Sequence, residues 1–309
     1  MIVFVAGGTG VLGRATLPPL IAAGHTVRST ARGSENAALV RSLGAEPVDL
    51  DLYNPQEIRE AVAGCDTVLR ITTKFGAMSK LRDPKSWAET NRLRTIGSQL
   101  LVDAAIETEV QTYIHESVAY VYADGGNNWL TEDSPTDDAC VSLMTATLEG
   151  ERHAARFTQA GRRGVVLRFG GFYSADAPST LETVVAITRR MLPRFGPGTN
   201  YFSSIYVPDA GRAVAAALNV PAGIYNVADD DPVSFAEYLN VMAASFGAPP
   251  PFHVPKFLGN LAFGDVWKYF SRSQRVSNAK LKNASDWKPT VQSVREGWPL
   301  IAAQLATAK

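Results

Sequence analysis

Residues 2–13 read Ile-Val-Phe-Val-Ala-Gly-Gly-Thr-Gly-Val-Leu-Gly, an apolar run that closes on glycines at positions 7, 10 and 13. The run Ile2 to Ala6 has the length and β-branched content of a buried strand, and an apolar helix pattern follows Gly13. Strand, glycine turn and helix in that order form the βαβ unit that binds pyrophosphate. One glycine makes the tight turn, one lets backbone approach the phosphates, and one lets helix and strand pack closely. The helix N-terminus adds free N–H groups and the positive end of its dipole. Gly7, Thr9, Gly10, Val11 and Leu12 are therefore the expected phosphate-binding stretch.

Strand and helix signals alternate at a regular pace along residues 1–120, the pattern of a doubly wound parallel α/β sheet. Strands are expected at 2–6, 26–31, 46–49, 67–72, 111–117 and 164–168, with short ones near 203–207 and 223–227. The reading divides the chain into a dinucleotide-binding Rossmann domain over 1–170, with 203–247 packing back on it. A smaller, mostly helical substrate-covering region takes 171–202 and 248–309. Pro249-Pro250-Pro251 marks a turn before an aromatic stretch of Phe252, Phe257, Phe263, Trp267, Tyr269 and Phe270. Such a stripe is core packing or subunit contact, and the latter leaves a homodimer open.

Further motifs recur in order. Asp51-Leu52 with Asn54-Pro55 resembles "DL-x-DP", and Asn91 opens a helix similar to "N-x-x-G-T-x-N-L-L-x-A-A". Leu167 to Tyr173 resembles "LRPGNVYG", Ile205 to Ala213 "xHVDDVARA", Gly223 to Ala228 "GEVYNVA", and Asp286-Trp287-Lys288-Pro289 "LGWxP". With the G-x-x-G-x-x-G spacing, these matches resemble the extended, sugar-epimerase-like branch of the short-chain dehydrogenase/reductase superfamily, the NAD-dependent epimerases and dehydratases. The resemblance covers essentially the whole chain. It implies that Asp51, Leu52, Thr72, Thr73, Phe169 and Phe172 also line the cofactor site.

Lys plus Arg and Asp plus Glu are equal at 30 each, so composition points to neither nucleic acid nor an anionic membrane as partner. No apolar run reaches membrane-spanning length, and the opening core strand without a basic-then-apolar leader reads as cytoplasmic. Cys65 and Cys140 lack CxxC spacing and read as reduced thiols; His25, His115, His153 and His253 make no metal-ligand pattern, so no metal is expected.

The end of the second strand selects the cofactor, because an acid there accepts from the ribose hydroxyls of NAD whereas Arg accommodates the 2′-phosphate of NADP. Ala31 stands where the acid is expected and Arg32 follows, with Ser34 nearby and Arg28 within the strand. The expectation is NADP(H) in preference to NAD(H), with Arg32 as the phosphate ligand; the alternative is a solvated strand-end Arg32.

The resemblance also implies a Tyr and a Lys four residues apart on one helix face, where the Tyr passes the proton and the Lys lowers its pKa and holds the ribose. Relatives read roughly "Y-x-x-S-K-x-x-G-E". Anchored on Gly150-Glu151, this chain has Leu143 for the Tyr and Thr147 for the Lys, and residues 131–163 contain neither Tyr nor Lys in any register. The family serine after the fifth strand falls on Ser117 or on Val118. Replacement candidates at the strand ends are Tyr122 and Tyr120, then Ser117, Lys74 and Glu116, each weighed against pocket-wall, strand-end or solvated roles. Glu151 reads as structural.

Three functions fit. One is an NADP(H)-dependent oxidoreductase acting on a small carbonyl- or imine-type metabolite with a non-standard acid–base set. The others are a non-redox cyclase, isomerase or lyase retaining the fold, and a cofactor-sensing regulatory protein. A substrate as electrophilic as an iminium or an activated enone needs little acid help.

Overall fold

The computed structural model describes residues 1–74, 83–137, 142–264, 267–268 and 271–307. Its first half alternates β1 (Ile2–Ala6), α1 (Val11–Ala22), β2 (Thr26–Thr30), α2 (Ser34–Ser42), β3 (Glu46–Val48), α3 (Pro55–Val62) and β4 (Thr67–Arg70). After α4 (Ala88–Arg92), a π-helical turn (Leu93–Gly97) leads into α5 (Ser98–Glu107) and β5 (Thr112–Val118). The short β6 (Trp129–Leu130) precedes α6 (Ser142–Gln159), β7 (Arg163–Phe169) and β8 (Gly171–Tyr173). Then come α7 (Pro178–Thr188), β9 (Arg194–Phe195), β10 (Tyr201–Phe202), β11 (Ser204–Tyr206), α8 (Val207–Ala217) and β12 (Gly223–Val227).

Seven strands form one parallel sheet in the order β12-β7-β5-β4-β1-β2-β3. This is the α/β class that the glycine turn and the alternation imply. Covering helices on both faces explain why β1 and β4 are buried without alternation, β4 even at Thr67 and Arg70. Successive residues nevertheless serve opposite faces. Val3 and Val5 pack with Leu17, Leu69 and Val214, whereas Phe4 packs with Val68, Leu101, Tyr113 and Phe157. β4 ends two residues earlier than the expected 67–72. Ile71 still donates to the Ala6 carbonyl at 3.0 Å, and Thr72 then crosses over Gly7. Among the described residues no helix is long and apolar enough to cross a membrane. Cys65 is a buried free thiol; Cys140 lies outside the described residues.

Local chemistry sets the helix starts. Asn54 accepts from the backbone N–H groups of Gln56 and Glu57, and Pro55 occupies the first helical turn of α3. α8 lies against α1 because Gly211 has no side chain: a Cβ there would sit 2.1 Å from the Ala15 carbonyl oxygen. The buried Asp209 of α8 ties the chain's late segment to this pair. Its carboxylate accepts from Thr290 N at 2.8 Å, Thr290 Oγ1 at 2.7 Å and Val291 N at 3.0 Å, and it pairs with Arg212. Trp287 Nε1 donates to the Asp209 carbonyl at 3.0 Å.

Replacing Asp209 with Ala strips the acceptor from three donors. Hydrogen bonds to a charged group contribute roughly 1.5–3 kcal/mol each, so Asp209→Ala is expected to lower stability by about 3 kcal/mol or more, read from the urea midpoint.

Candidate active site

The glycine turn between β1 and α1 is built by backbone crowding at some glycines and by open space at another. Gly7 has φ +112°, and a Cβ there would meet Thr72 within 2.9 Å. A Cβ at Gly13 would lie 2.1 Å from the Gly7 carbonyl oxygen, so helix and turn touch through that glycine. At Gly10 the nearest protein atom is the Gly7 oxygen at 3.4 Å, which leaves room for a ligand rather than for packing. Gly10 is the N-cap of α1, and no side chain caps that end. Arg14 Nη1 holds the Thr9 carbonyl at 3.1 Å while Nη2 pairs with Asp176 at 2.9 Å. Val11 is half-buried and Leu12 buried beside the turn. Thr72 Oγ1 is buried without a hydrogen-bond partner directly beside Gly7. An uncapped helix start, an open glycine and an orphaned hydroxyl together fit a dinucleotide.

At the next strand end, Thr30 Oγ1 accepts from Gly7 N at 2.9 Å, and Ala31 is buried. Arg32 is exposed and only its carbonyl is used, by Asn36 Nδ2 at 2.8 Å. Arg28 instead pairs with Glu46 at 3.4 Å across β2 and β3. Asp51 is exposed and its carboxylate closes its own turn on Tyr53 N at 3.1 Å, while Leu52 is half-buried against the core. Phe169 is buried, and Phe172 stands edge-on to it with centroids 5.2 Å apart.

Charged groups behind the site form two buried networks. In the first, the Glu116 carboxylate receives Arg70 Nη1 at 3.1 Å and Thr73 Oγ1 at 2.8 Å, with Arg94 Nη2 at 3.7 Å. Arg94 Nη1 also donates to Thr147 Oγ1 at 2.6 Å. Burial lowers the Arg94 pKa to about 10, still cationic at neutral pH. Burial, reinforced by Arg70, Arg94 and His153, holds His115 well below its ordinary value and keeps it neutral. In the second network, Glu151 of α6 takes Arg168 Nε at 2.9 Å, Arg168 Nη2 at 2.6 Å and Ser117 Oγ at 2.5 Å. The Arg168 guanidinium lies 4.8 Å over the Tyr122 ring, and the Tyr122 hydroxyl donates to Asn226 Oδ1 at 2.8 Å. Glu116, Ser117 and Tyr122 are thus each bound into a buried protein network.

Lys74 is exposed, and its carbonyl accepts from Thr90 Oγ1. Tyr120 differs from the other candidates. Its ring faces Phe202 at 6.1 Å, and a Cβ at Gly171 would lie 2.8 Å from its hydroxyl. Burial pushes the Tyr120 phenol well above its ordinary value, so it stays protonated. Val118, Tyr120 and Leu148 pack with Trp87, Val121 and Met144, an apolar patch beside the helix where the proton-transfer pair is expected. Leu143 starts the first turn of α6, but its side chain lies outside the described residues. Of the aromatic stretch, Phe263 and Trp267 pack on Phe195 at 5.4 and 5.3 Å, while Phe257 is largely exposed. Tyr269 and Phe270 are outside the described residues.

The NAD dependent epimerase/dehydratase family model matches residues 3–228. The chain belongs to that family. It is an enzyme of the extended short-chain dehydrogenase/reductase branch. A Streptomyces protein named 3-diazoavenalumate denitrifying reductase is 32% identical over 96% of this chain and 99% of its own length. A Stigmatella aurantiaca quinoline-oxide ketoreductase is 27% identical over 84% of this chain and 76% of its own. Thermotoga maritima UDP-glucose 4-epimerase superposes with TM-score 0.81 at 20% identity, covering 100% of this chain and 99% of that one. The human epimerase family protein SDR39U1, solved with NADPH, gives 0.80 at 19%, covering 98% and 99%.

Within this family, the helix motif fits better one turn later than Asn91. Arg94-Thr95-Ile96-Gly97-Ser98 through Ala104-Ala105 follows "N-x-x-G-T-x-N-L-L-x-A-A" without a gap, so Arg94 and not Asn91 occupies the motif asparagine. That register was legible from Gly97 and the paired alanines. What Arg94 reaches was not.

Gly10 and Gly13 give contrasting expectations. Gly10→Val should unfold within about 3 °C of wild type yet lose binding of a reduced nicotinamide cofactor, whereas Gly13→Val should fail to fold. Circular dichroism and cofactor fluorescence separate the two; normal cofactor binding by Gly10→Val would place the phosphates elsewhere.

Proposed function

We propose that this enzyme is an NADP(H)-dependent reductase whose substrate accepts hydride without needing a proton from the protein, a small aromatic diazo compound being the best fit. The observation that carries this is the state of the α6 face. Thr147 stands at the lysine position bonded to Arg94, and apolar Val118, Met144 and Leu148 occupy its surroundings. A ketone reduced here becomes an alkoxide and requires an acid, which typically contributes 10²–10⁴-fold. A reduced nicotinamide, when bound, would supply hydride, and a diazonium carbon accepting it would release dinitrogen, R–N₂⁺ + H⁻ → R–H + N₂, with no proton exchanged. The Streptomyces denitrifying reductase, similar along nearly its whole length, supports this substrate class.

In this reading Gly7, Thr9, Gly10, Val11 and Leu12 hold the pyrophosphate and Thr72 offers its unpaired hydroxyl to the cofactor. Asp51, Leu52, Thr73, Phe169 and Phe172 line the remainder. Arg32, exposed beside the buried Ala31, takes the 2′-phosphate. Trp87, Val118, Val121 and Met144 keep water from the reacting carbon and so suppress hydrolysis.

A second reading, ketone reduction, is favoured by Tyr120, the one replacement candidate on the apolar patch with a phenol that stays protonated. The ketoreductase relative supports it.

Two measurements test the proposal. Fluorescence titration should show NADPH binding tighter than NADH, and Arg32→Ala should erase a preference of about 10–100-fold; equal affinities in wild type would remove the 2′-phosphate assignment. With an aryldiazonium substrate, deuterium from [4-²H]NADPH should enter the arene, and Tyr120→Phe should keep activity within about threefold. A loss of 10²-fold or more on ketones, with no diazonium turnover, would transfer the assignment to ketone reduction.

A further inference from the structure

A cleft of about 320 Å³ is lined by Asn127, Thr199, Tyr201, Arg275 and Arg295, with none of the candidate catalytic or cofactor residues among its walls. That volume lies at the small end of ligand pockets. Strand geometry separates it from the active site. Neighbouring residues of β10 face opposite sides, so Phe202 packs on Tyr120 and Tyr238, at 6.1 and 4.8 Å, while Tyr201 turns to the cleft. The short strand Arg275–Val276 pairs with β6 so that Arg275 stands opposite Trp129. The Arg275 guanidinium lies 4.2 Å over the Trp129 ring and 4.8 Å over that of Tyr201. Three segments far apart in sequence thus converge to hold one side chain. Among the described residues no carboxylate pairs with Arg275, and its Nε is buried without a hydrogen-bond partner. The two rings offset only part of the cost of leaving a guanidinium without an acceptor. The other cation of the cleft is already engaged: Arg295 Nε donates to Glu237 Oε1 at 2.6 Å, and Arg295 also pairs with Asp231.

We propose that this cleft is a second ligand site, which takes a small monoanionic aromatic carboxylate on the Arg275 guanidinium. A guanidinium braced by rings presents a planar, preset pair of N–H groups, which matches the two oxygens of a carboxylate. Asp231 and Glu237 line the same cleft and outnumber Arg295, so a doubly charged phosphate is repelled more than a single carboxylate. Beside Arg275, Trp129 stays 45% exposed and offers apolar surface to the ring of the ligand. The site stands independently of the cofactor and substrate readings.

Fluorine NMR of the whole chain tests the site with 4-fluorobenzoate, and with 4-fluorobenzamide as its uncharged counterpart. Binding of the acid should saturate below about 10 mM, and the amide should bind about tenfold or more weakly. Arg275→Met should weaken binding of the acid about tenfold or more while Tm stays within about 3 °C of wild type. Arg275→Lys, which keeps the charge but not the planar fork, should weaken it about three- to tenfold and decides the case if the Met variant unfolds. Wild-type affinity in either variant overturns the proposal, as do equal affinities for acid and amide or a lack of saturable binding of the acid. Inorganic phosphate displacing 4-fluorobenzoate more strongly than unlabelled benzoate does also overturns it, because the site is then built for a dianion.

Discussion

The two-pronged contact of Arg168 with Glu151 holds the active-site half of this protein together. It joins α6 to β7, and through Ser117 on the same carboxylate it joins both to β5. Burying such a pair gains little net energy, but removing one partner leaves a stranded charge at about 3–5 kcal/mol. The pair therefore acts chiefly as a constraint on where α6 can lie. With α6 fixed, Thr147 meets Arg94, the apolar patch around Met144 closes, and Tyr122 is clamped between Arg168 and Asn226.

That constraint explains how the fold persists while its proton-transfer residues change. The supports of α6 come from Glu151, Arg168 and Ser117, one turn and two strands away from the positions where a Tyr and a Lys are expected. Catalytic positions can then be rewritten without loosening the helix. Polar groups facing the sheet are gathered into buried networks, and Val118, Tyr120 and Leu148 pack with Trp87, Val121 and Met144 beside them.

Fold and the tight glycine turn after β1 were legible because both rest on local signals. Glycine spacing, the alternation of strands and helices, and the Asn54-Pro55 helix start each act within a few residues. The absence of Tyr and Lys from 131–163 was equally plain. The roles of Glu116, Tyr122 and Ser117 were not, since their partners lie 46, 104 and 34 residues away. Nothing near Glu116 in the chain announces Arg70, and a lone acid at a strand end reads the same whether it is a base or half of an ion pair. Arg94 was hidden differently, by a motif placed one turn too early.

The tie between Asp209 and residues 290–291 has a bearing on how the chain is made. α1, which follows the glycine turn, is covered by α8 through Gly211, and Asp209 near the start of α8 gains its Thr290 and Val291 donors only when those residues arrive. On a ribosome the first helix would emerge some two hundred residues ahead of its cover. A helix synthesised well before α8 is thus among the last to be sealed. An apolar helix face waiting that long invites chaperone capture, and premature termination before residue 290 would leave a nucleotide loop that is present in sequence but poorly held in space.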